Sequence, residues 1–312
     1  MCYDRISSHA KMLRDVVRTE AYDRAISEVI KPGQKAIDFG CGTGILSHFC
    51  ARAGASDVYA IDRSLFIAVA RVVAQRNGLE NIHFIYSEGD KVKLPAKADV
   101  LVSEWMGVFL FWECMLEPLI KIRDQYLAED GVMLPSRMFL KGAFVSDEEL
   151  FKEMSFFRFR PYSVDFSVVG DWLFHTPTLK HFSEKQVLDY DFDLGEMDMK
   201  ECREMPAELS AVVSPMGAAT IYGICGWFEA ELAPKIHLGT GPFDPFTHWE
   251  QIFFPLSEPF ELVPGKEVKV VICPAANPSV EETVWRWSVS DGQTTIEMDE
   301  NIHLAWIYAH EK

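Results

Sequence analysis

The sequence predicts two architectures in succession: a parallel α/β sheet over residues 1–138 and an antiparallel β domain over residues 139–312. Three observations point there. Up to residue 138, apolar strand-like runs alternate with helical stretches, the order that builds a parallel sheet with crossover helices. Beyond it, short β-branched and aromatic runs are separated by Pro, Gly and Asp, the pattern of antiparallel strands joined by turns. The charge divides at the same place. Residues 1–138 carry 17 Lys and Arg against 18 Asp and Glu, net −1, whereas residues 139–312 carry 13 against 29, net −16. No internal repeat or low-complexity linker interrupts the chain.

Lys35–Phe39 is a short apolar strand, and Gly40-Cys41-Gly42-Thr43-Gly44 follows at once, before the helical run Ile45–Ala53. A glycine turn between strand and helix lets a ligand come close to backbone N–H groups at a helix N-terminus. The spacing is GxGxG rather than GxGxxG, and alone it also suits an ordinary turn. Asp57–Ile61 reads as the second strand and ends at Asp62. A carboxylate about 20 residues beyond the glycines suits the two hydroxyls of a ribose; the same residue could instead cap a helix starting near Ser64. The joint pattern points to an adenosine-containing ligand. Asp38, just before the glycines, either orients the turn or meets a ligand ammonium. Ile82–Tyr86 and Asp99–Val102 read as strands three and four, and the polar loop between them offers Glu88 and Asp90 as acceptors for an exocyclic amine. No GxxxxGK[ST] is present, which disfavours a P-loop phosphate site and leaves a dinucleotide or S-adenosylmethionine.

Strand four runs directly into Ser103-Glu104-Trp105-Met106-Gly107-Val108-Phe109-Leu110-Phe111-Trp112-Glu113-Cys114-Met115. Two acids nine residues apart stand in an apolar and aromatic stretch, and neither Lys nor Arg occurs between Lys97 and Lys121. A buried carboxylate needs a cation or hydrogen bonds. If both acids point inward, their cation comes from elsewhere, and a substrate can supply it. A guanidinium fits such a pair, because its rigid fork of donors engages carboxylates bidentately and stacks on aromatic rings. Either acid alone could equally cap a helix or face water.

The formal charge of −17 argues against a protein that wraps a nucleic-acid backbone or binds an anionic membrane. No window approaches ~18 consecutive apolar residues, and Met1 opens no signal-like run. Seven cysteines, an odd number with no CxxC pair, read as reduced thiols of a cytosolic or nuclear protein, with no metal site expected. The acidic second part serves solubility or recruits a basic ligand.

On these residues the sequence resembles the protein arginine methyltransferases, specifically their type I branch, which makes asymmetric dimethylarginine. The resemblance spans nearly the whole chain. It rests on the two-glutamate loop Ser103-Glu104-Trp105-Met106-Gly107 through Glu113 and Met115, on Thr247-His248-Trp249, and on an N-terminal helix running from His9 to Thr19. It implies a Rossmann-like cofactor domain (1–138, with N-terminal helices) and a β-barrel substrate domain (139–312). It also implies a helical dimerisation arm inserted at 157–187, giving a head-to-tail homodimer. S-adenosyl-L-methionine would be the methyl donor and S-adenosyl-L-homocysteine the product, with arginine in basic proteins such as histones or Arg-Gly-rich proteins as acceptor. No direct nucleic-acid or membrane partner is implied, and residence would be cytoplasmic, nuclear or both.

Residue by residue, the resemblance implies that Glu104 and Glu113 hold the substrate guanidinium and that Asp15 and His248 pair across the active site. Arg18 would meet the cofactor carboxylate, Asp62 the ribose, and Gly40 and Gly42 the amino-acid end; His9 would line the same site. Asp90, with Glu88 as fallback, would take the adenine. Met12, Met115 and Trp249 would shape the acceptor pocket. The chain departs from the family pattern in having Asp62 where Glu is usual, Val108 where Tyr is common, and only Tyr3 of an N-terminal tyrosine pair. These departures keep a second reading open, that of a catalytically silent partner of such an enzyme.

Overall fold

Asp15 divides what the sequence presents as one N-terminal helix. Its backbone (φ −73°, ψ 92°) leaves the helical region, so the segment forms α1 (Ile6–Arg14) and α2 (Val16–Val29), with the Asp15 side chain capping α2 by accepting from the Arg18 N–H. The expected continuous helix from His9 to Thr19 is therefore corrected to two, and the break turns the Asp15 carboxylate away from the helix axis. This computed structural model describes residues 5–277 and 282–301; the side chains of Asp90 and Glu282, and Tyr3 altogether, lie outside the described part.

The α/β part continues as β1 (Lys35–Phe39), α3 (Ile45–Arg52), β2 (Asp57–Asp62), α4 (Phe66–Arg76), β3 (Ile82–Tyr86), β4 (Ala98–Val102), α5 (Leu116–Tyr126) and β5 (Leu127–Leu134). The five strands pair in parallel in the order β3-β2-β1-β4-β5. Strands covered on both faces must be apolar throughout, and β1 and β4 each expose almost nothing. Strand order reverses between β1 and β4, the crevice where open parallel sheets bind ligands at their carboxyl ends. The register Asp38↔Val102 brings the two segments that follow, Gly40–Gly44 and Ser103–Met115, out side by side.

The second part follows without a long linker: β6 (Arg137–Val145), α6 (Glu148–Ser155), α7 (Ser167–His175), β7 (Thr178–Lys180), β8 (Phe192–Asp198), β9 (Leu209–Val213), β10 (Ala219–Ala233), β11 (Ile236–Gly239), β12 (Gln251–Leu262), β13 (Val268–Asn277), β14 (Glu282–Ser290) and β15 (Thr295–Asp299). One antiparallel sheet has the order β7-β12-β10-β6-β8, with β11 on β10; the other has the order β15-β14-β13-β9. Contacts of β8 with β9, and of β12 with β15, bring the sheets together into a barrel around Phe228, Phe254, Trp285 and Trp287, all buried. The helical insertion runs from Glu148 to His175, and Thr178–Lys180 already returns as a strand on β12. The expected arm at 157–187 takes in α7 and the short strand β7. Among the described residues no helix is long and apolar enough to cross a membrane.

Candidate active site

The glycine turn is built to bring backbone close to other atoms. The Gly40 and Cys41 N–H groups both donate to the Ile61 carbonyl at 2.9 and 3.0 Å, tying the turn to β2. Gly42 has φ +52°, and a Cβ there would lie 3.0 Å from His9 Cε1, so only glycine lets α1 press its histidine onto the turn. Gly40 faces Met115, whose Cε lies 3.7 Å from the position a Cβ would take, an ordinary contact distance. The expected cofactor glycines, His9 and Met115 are therefore brought to one place.

Asp62 departs from expectation in detail. Its Oδ2 accepts from the Gly42 N–H at 2.6 Å and its Oδ1 from the Ser64 N–H at 2.7 Å. The carboxylate thus ties the glycine turn to the loop before α4, whose N-terminus carries no side-chain cap. Each oxygen keeps a lone pair for a ribose hydroxyl. Glu88 is exposed and pairs with Lys91, so the fallback adenine contact faces solvent; Asp90 lies in the single 3-10 turn Gly89–Lys91.

Beneath the turn, Asp38 is fully buried. Ser47 Oγ donates to its Oδ2 at 2.5 Å, and Oδ1 has no partner among the described residues. Burial, only partly offset by the Ser47 bond and reinforced by Asp62, pushes its carboxyl up to about 7. Arg18, also buried, carries the complementary orphan: Nη1 has no partner among the described residues, while Nε and Nη2 both donate to Glu104 Oε2 at 3.1 and 2.8 Å. A buried cationic nitrogen and a buried carboxylate oxygen, both awaiting partners near one glycine turn, complement the carboxylate and ammonium of an amino-acid group. The residues present therefore fit S-adenosylmethionine at its methionine end.

Glu104 is held by more than Arg18. The Ser103 hydroxyl donates to the Phe39 carbonyl at 2.7 Å, and the Tyr22 hydroxyl donates to the Ser103 carbonyl at 3.1 Å. Arg18 and Tyr22 stand four residues apart on α2, which puts both on one helix face against this loop. That spacing is the signal by which Tyr22 and Ser103, missed in the sequence, could have been found. Glu113 folds back onto the far side of the loop: a Cβ on Gly107 would lie 2.5 Å from Glu113 Oε1. Between the two acids Phe109 and Leu110, and just after them Cys114, adopt positive φ of 54°, 65° and 52°. Each such residue costs roughly 1–2 kcal/mol, so surrounding contacts must hold the loop in place.

The barrel supplies the opposite wall. Asp15 Oδ2 accepts both the backbone N–H of His248 at 2.6 Å and its ring Nδ1 at 2.8 Å. Burial would raise the Asp15 carboxyl, but these bonds and the Arg18 N–H outweigh it and hold it below the usual carboxylate value. Trp249 is buried beside Phe228, and Arg18 lies 6.0 Å from its ring centroid. Met12 is half-buried at the end of α1, its carbonyl receiving the Asp15 N–H at 3.3 Å.

Comparison with known proteins meets this geometry. Protein arginine N-methyltransferase 2 of Xenopus tropicalis is 31% identical, with 92% of this chain and 69% of that protein covered. Protein arginine N-methyltransferase 1 of Schizosaccharomyces pombe is 32% identical over 86% of this chain and 82% of its own. The chain belongs to the protein arginine N-methyltransferase family. The model of the arginine methyltransferase oligomerization subdomain matches residues 137–291, and that of the ribosomal protein L11 methyltransferase (PrmA) matches residues 19–125. Of solved structures, the PRMT1 enzyme–prozyme heterotetrameric complex of Trypanosoma brucei with AdoHcy is 25% identical, with TM-score 0.87, covering 95% of this chain and 99% of that one. Arabidopsis thaliana protein arginine methyltransferase 10 shares the fold, with TM-score 0.82 at 24% identity and coverage of 96% and 99%. The arginine methyltransferase fold thus carries both the Rossmann-like sheet and the barrel seen here.

Proposed function

We propose that this chain transfers methyl groups from S-adenosyl-L-methionine to arginine in basic proteins such as histones or Arg-Gly-rich proteins, giving monomethylarginine and asymmetric dimethylarginine. One observation carries the reading: Glu104 already receives a guanidinium, that of Arg18, in the crevice beside the glycine turn. Bound S-adenosylmethionine supplies an electrophilic sulfonium methyl. Arg18 Nη1 and Asp38 Oδ1 would hold its carboxylate and ammonium, Asp62 its ribose, and His9 with Gly42 would close over it. Glu104 and Glu113 fix the plane of the substrate guanidinium and draw its positive charge away from the attacking nitrogen. Orientation of this kind lowers barriers by ~7–11 kcal/mol in favourable cases. Met12, Met115 and Trp249 exclude water from the acceptor pocket. Asp15 occupies His248 Nδ1, which leaves Nε2 as the ring atom able to take the departing proton.

Residues 1–138 would serve the cofactor and 139–312 the substrate, and the inserted helices would carry a homodimer. Phe159 and Tyr162 at the insertion tip are 79% and 89% exposed, and Leu65, Val69 and Val72 leave a matching apolar stripe at α4. A second reading, the silent partner, draws on the tied carboxylate of Asp62 and on the prozyme in the Trypanosoma brucei complex. The test incubates the purified chain with S-adenosylmethionine and an Arg-Gly-rich or histone-tail peptide and identifies the products by mass spectrometry. Asymmetric dimethylarginine is the expected product. Cofactor binding without any methylarginine would favour the silent partner.

A further inference from the structure

The loop joining Glu104 to Glu113 belongs to the α/β sheet in sequence but is fastened to the barrel. Phe109, 1% exposed, plunges into the barrel core with its ring centroid 5.7 Å from Phe254 and 5.8 Å from Trp285. It enters over Gly226 of β10, where a Cβ would lie 2.9 Å from Phe109 Cε2. Two residues on, the Phe111 carbonyl receives the hydroxyl of Thr283, a buried residue of β14. The two ends of the loop are thus held from different sides. Ser103, Tyr22 and Arg18 anchor the Glu104 end to the sheet and α2, while Phe109 and Thr283 bolt the segment leading to Glu113 onto the barrel.

We propose that Thr283 and the Phe109–Gly226 wedge are positioning residues for methyl transfer: through them the barrel sets where Glu113 stands relative to Glu104. The inference rests on the reading of those two acids as the guanidinium clamp. The positive-φ residues of the loop have no preference of their own for this path, so a fastener at the Phe111 carbonyl decides whether the path persists. A displacement of about 1 Å in a reacting group can cost a hundredfold in rate. The fastener acts at Phe111, whereas the ties to Arg18 and to the Phe39 carbonyl before the glycine turn are made at the Glu104 end, so cofactor affinity is expected to change little.

Thr283→Val removes the donor and keeps the shape; Thr283→Ser keeps the donor. With an Arg-Gly-rich peptide, kcat of Thr283→Val is expected to fall about tenfold or more. S-adenosylmethionine affinity, measured by titration calorimetry, should stay within about twofold, and Thr283→Ser should stay near the parent. Amide hydrogen exchange over 107–115 should accelerate in Thr283→Val alone. Unchanged exchange, or an unchanged kcat in a folded variant, overturns the proposal. So does a parallel loss of cofactor binding, which would mark general loosening. If Thr283→Val does not fold, Phe109→Leu shortens the wedge and is read in the same way. If the parent chain methylates no arginine peptide, the proposed function fails, and the exchange comparison still decides whether the barrel holds the loop.

Discussion

Asp38 gives the sharpest handle on the cofactor side of the site. Its carboxyl is fully buried, has one hydrogen bond, and stands at about 7. In the free protein the folded state therefore keeps a proton that the unfolded chain gives up near the ordinary value of 3.8. Protons bound in the folded state exceed those in the unfolded state between these two values. Stability from this group is therefore greatest below the lower one and falls as pH rises toward about 7. The slope reaches ~1.4 kcal/mol per pH unit, and the whole span amounts to roughly 4 kcal/mol. An ammonium placed at Oδ1 reverses the balance by favouring the carboxylate, so binding expels the proton. At pH 6 binding should release most of a proton per site, seen by calorimetry in buffers of different ionisation enthalpy. Below pH 7 the affinity for S-adenosylmethionine should strengthen with pH by up to about tenfold per unit, levelling off above it. Asp38→Asn removes this one carboxyl and should lose both the release and that part of the slope. Equal proton release in the parent and Asp38→Asn would refute the assignment of Asp38 to the ligand ammonium.

Three further outcomes follow from the same geometry. Glu113→Gln replaces a charge by an amide of equal size beside Gly107 and should cost about a hundredfold or more in methyl transfer, with cofactor affinity within about twofold; wild-type turnover would sink the carboxylate clamp. Asp15→Asn weakens three bonds to His248 and Arg18 and should lower stability to urea by about 1–3 kcal/mol at pH 7. Because the Asp15 carboxyl is held low, that contribution is present above its unfolded value and lost as pH falls through its folded one, so the gap should close in acid. Tyr162→Asp, a charge at the exposed tip of the insertion, should convert a dimer to a monomer by light scattering while leaving the far-ultraviolet spectrum unchanged; a dimer that survives it places the interface elsewhere.

Local chemistry was legible in the sequence, and what it left out is contact between distant segments. The four apolar runs at 35–39, 57–61, 82–86 and 99–102 become parallel strands because length and β-branching suffice to specify them. The two acids of the loop stood out because an apolar stretch with carboxylates and no cation is physically costly. Asp15 was read as a helical residue because the capping partner that draws it out, the Arg18 N–H, is common to many helices, whereas His248, 233 residues away, has no local trace. The Arg18–Glu104 bond spans 86 residues and shows why no single motif describes the site. Arg18 bonds Glu104 and favours ionisation of the Asp38 carboxyl, while Asp62 disfavours it and accepts from the Gly42 N–H. If Arg18 also holds the cofactor carboxylate and Glu104 the acceptor, as proposed, filling the cofactor side would alter the field at Glu104, whose charge is already shared with Arg18.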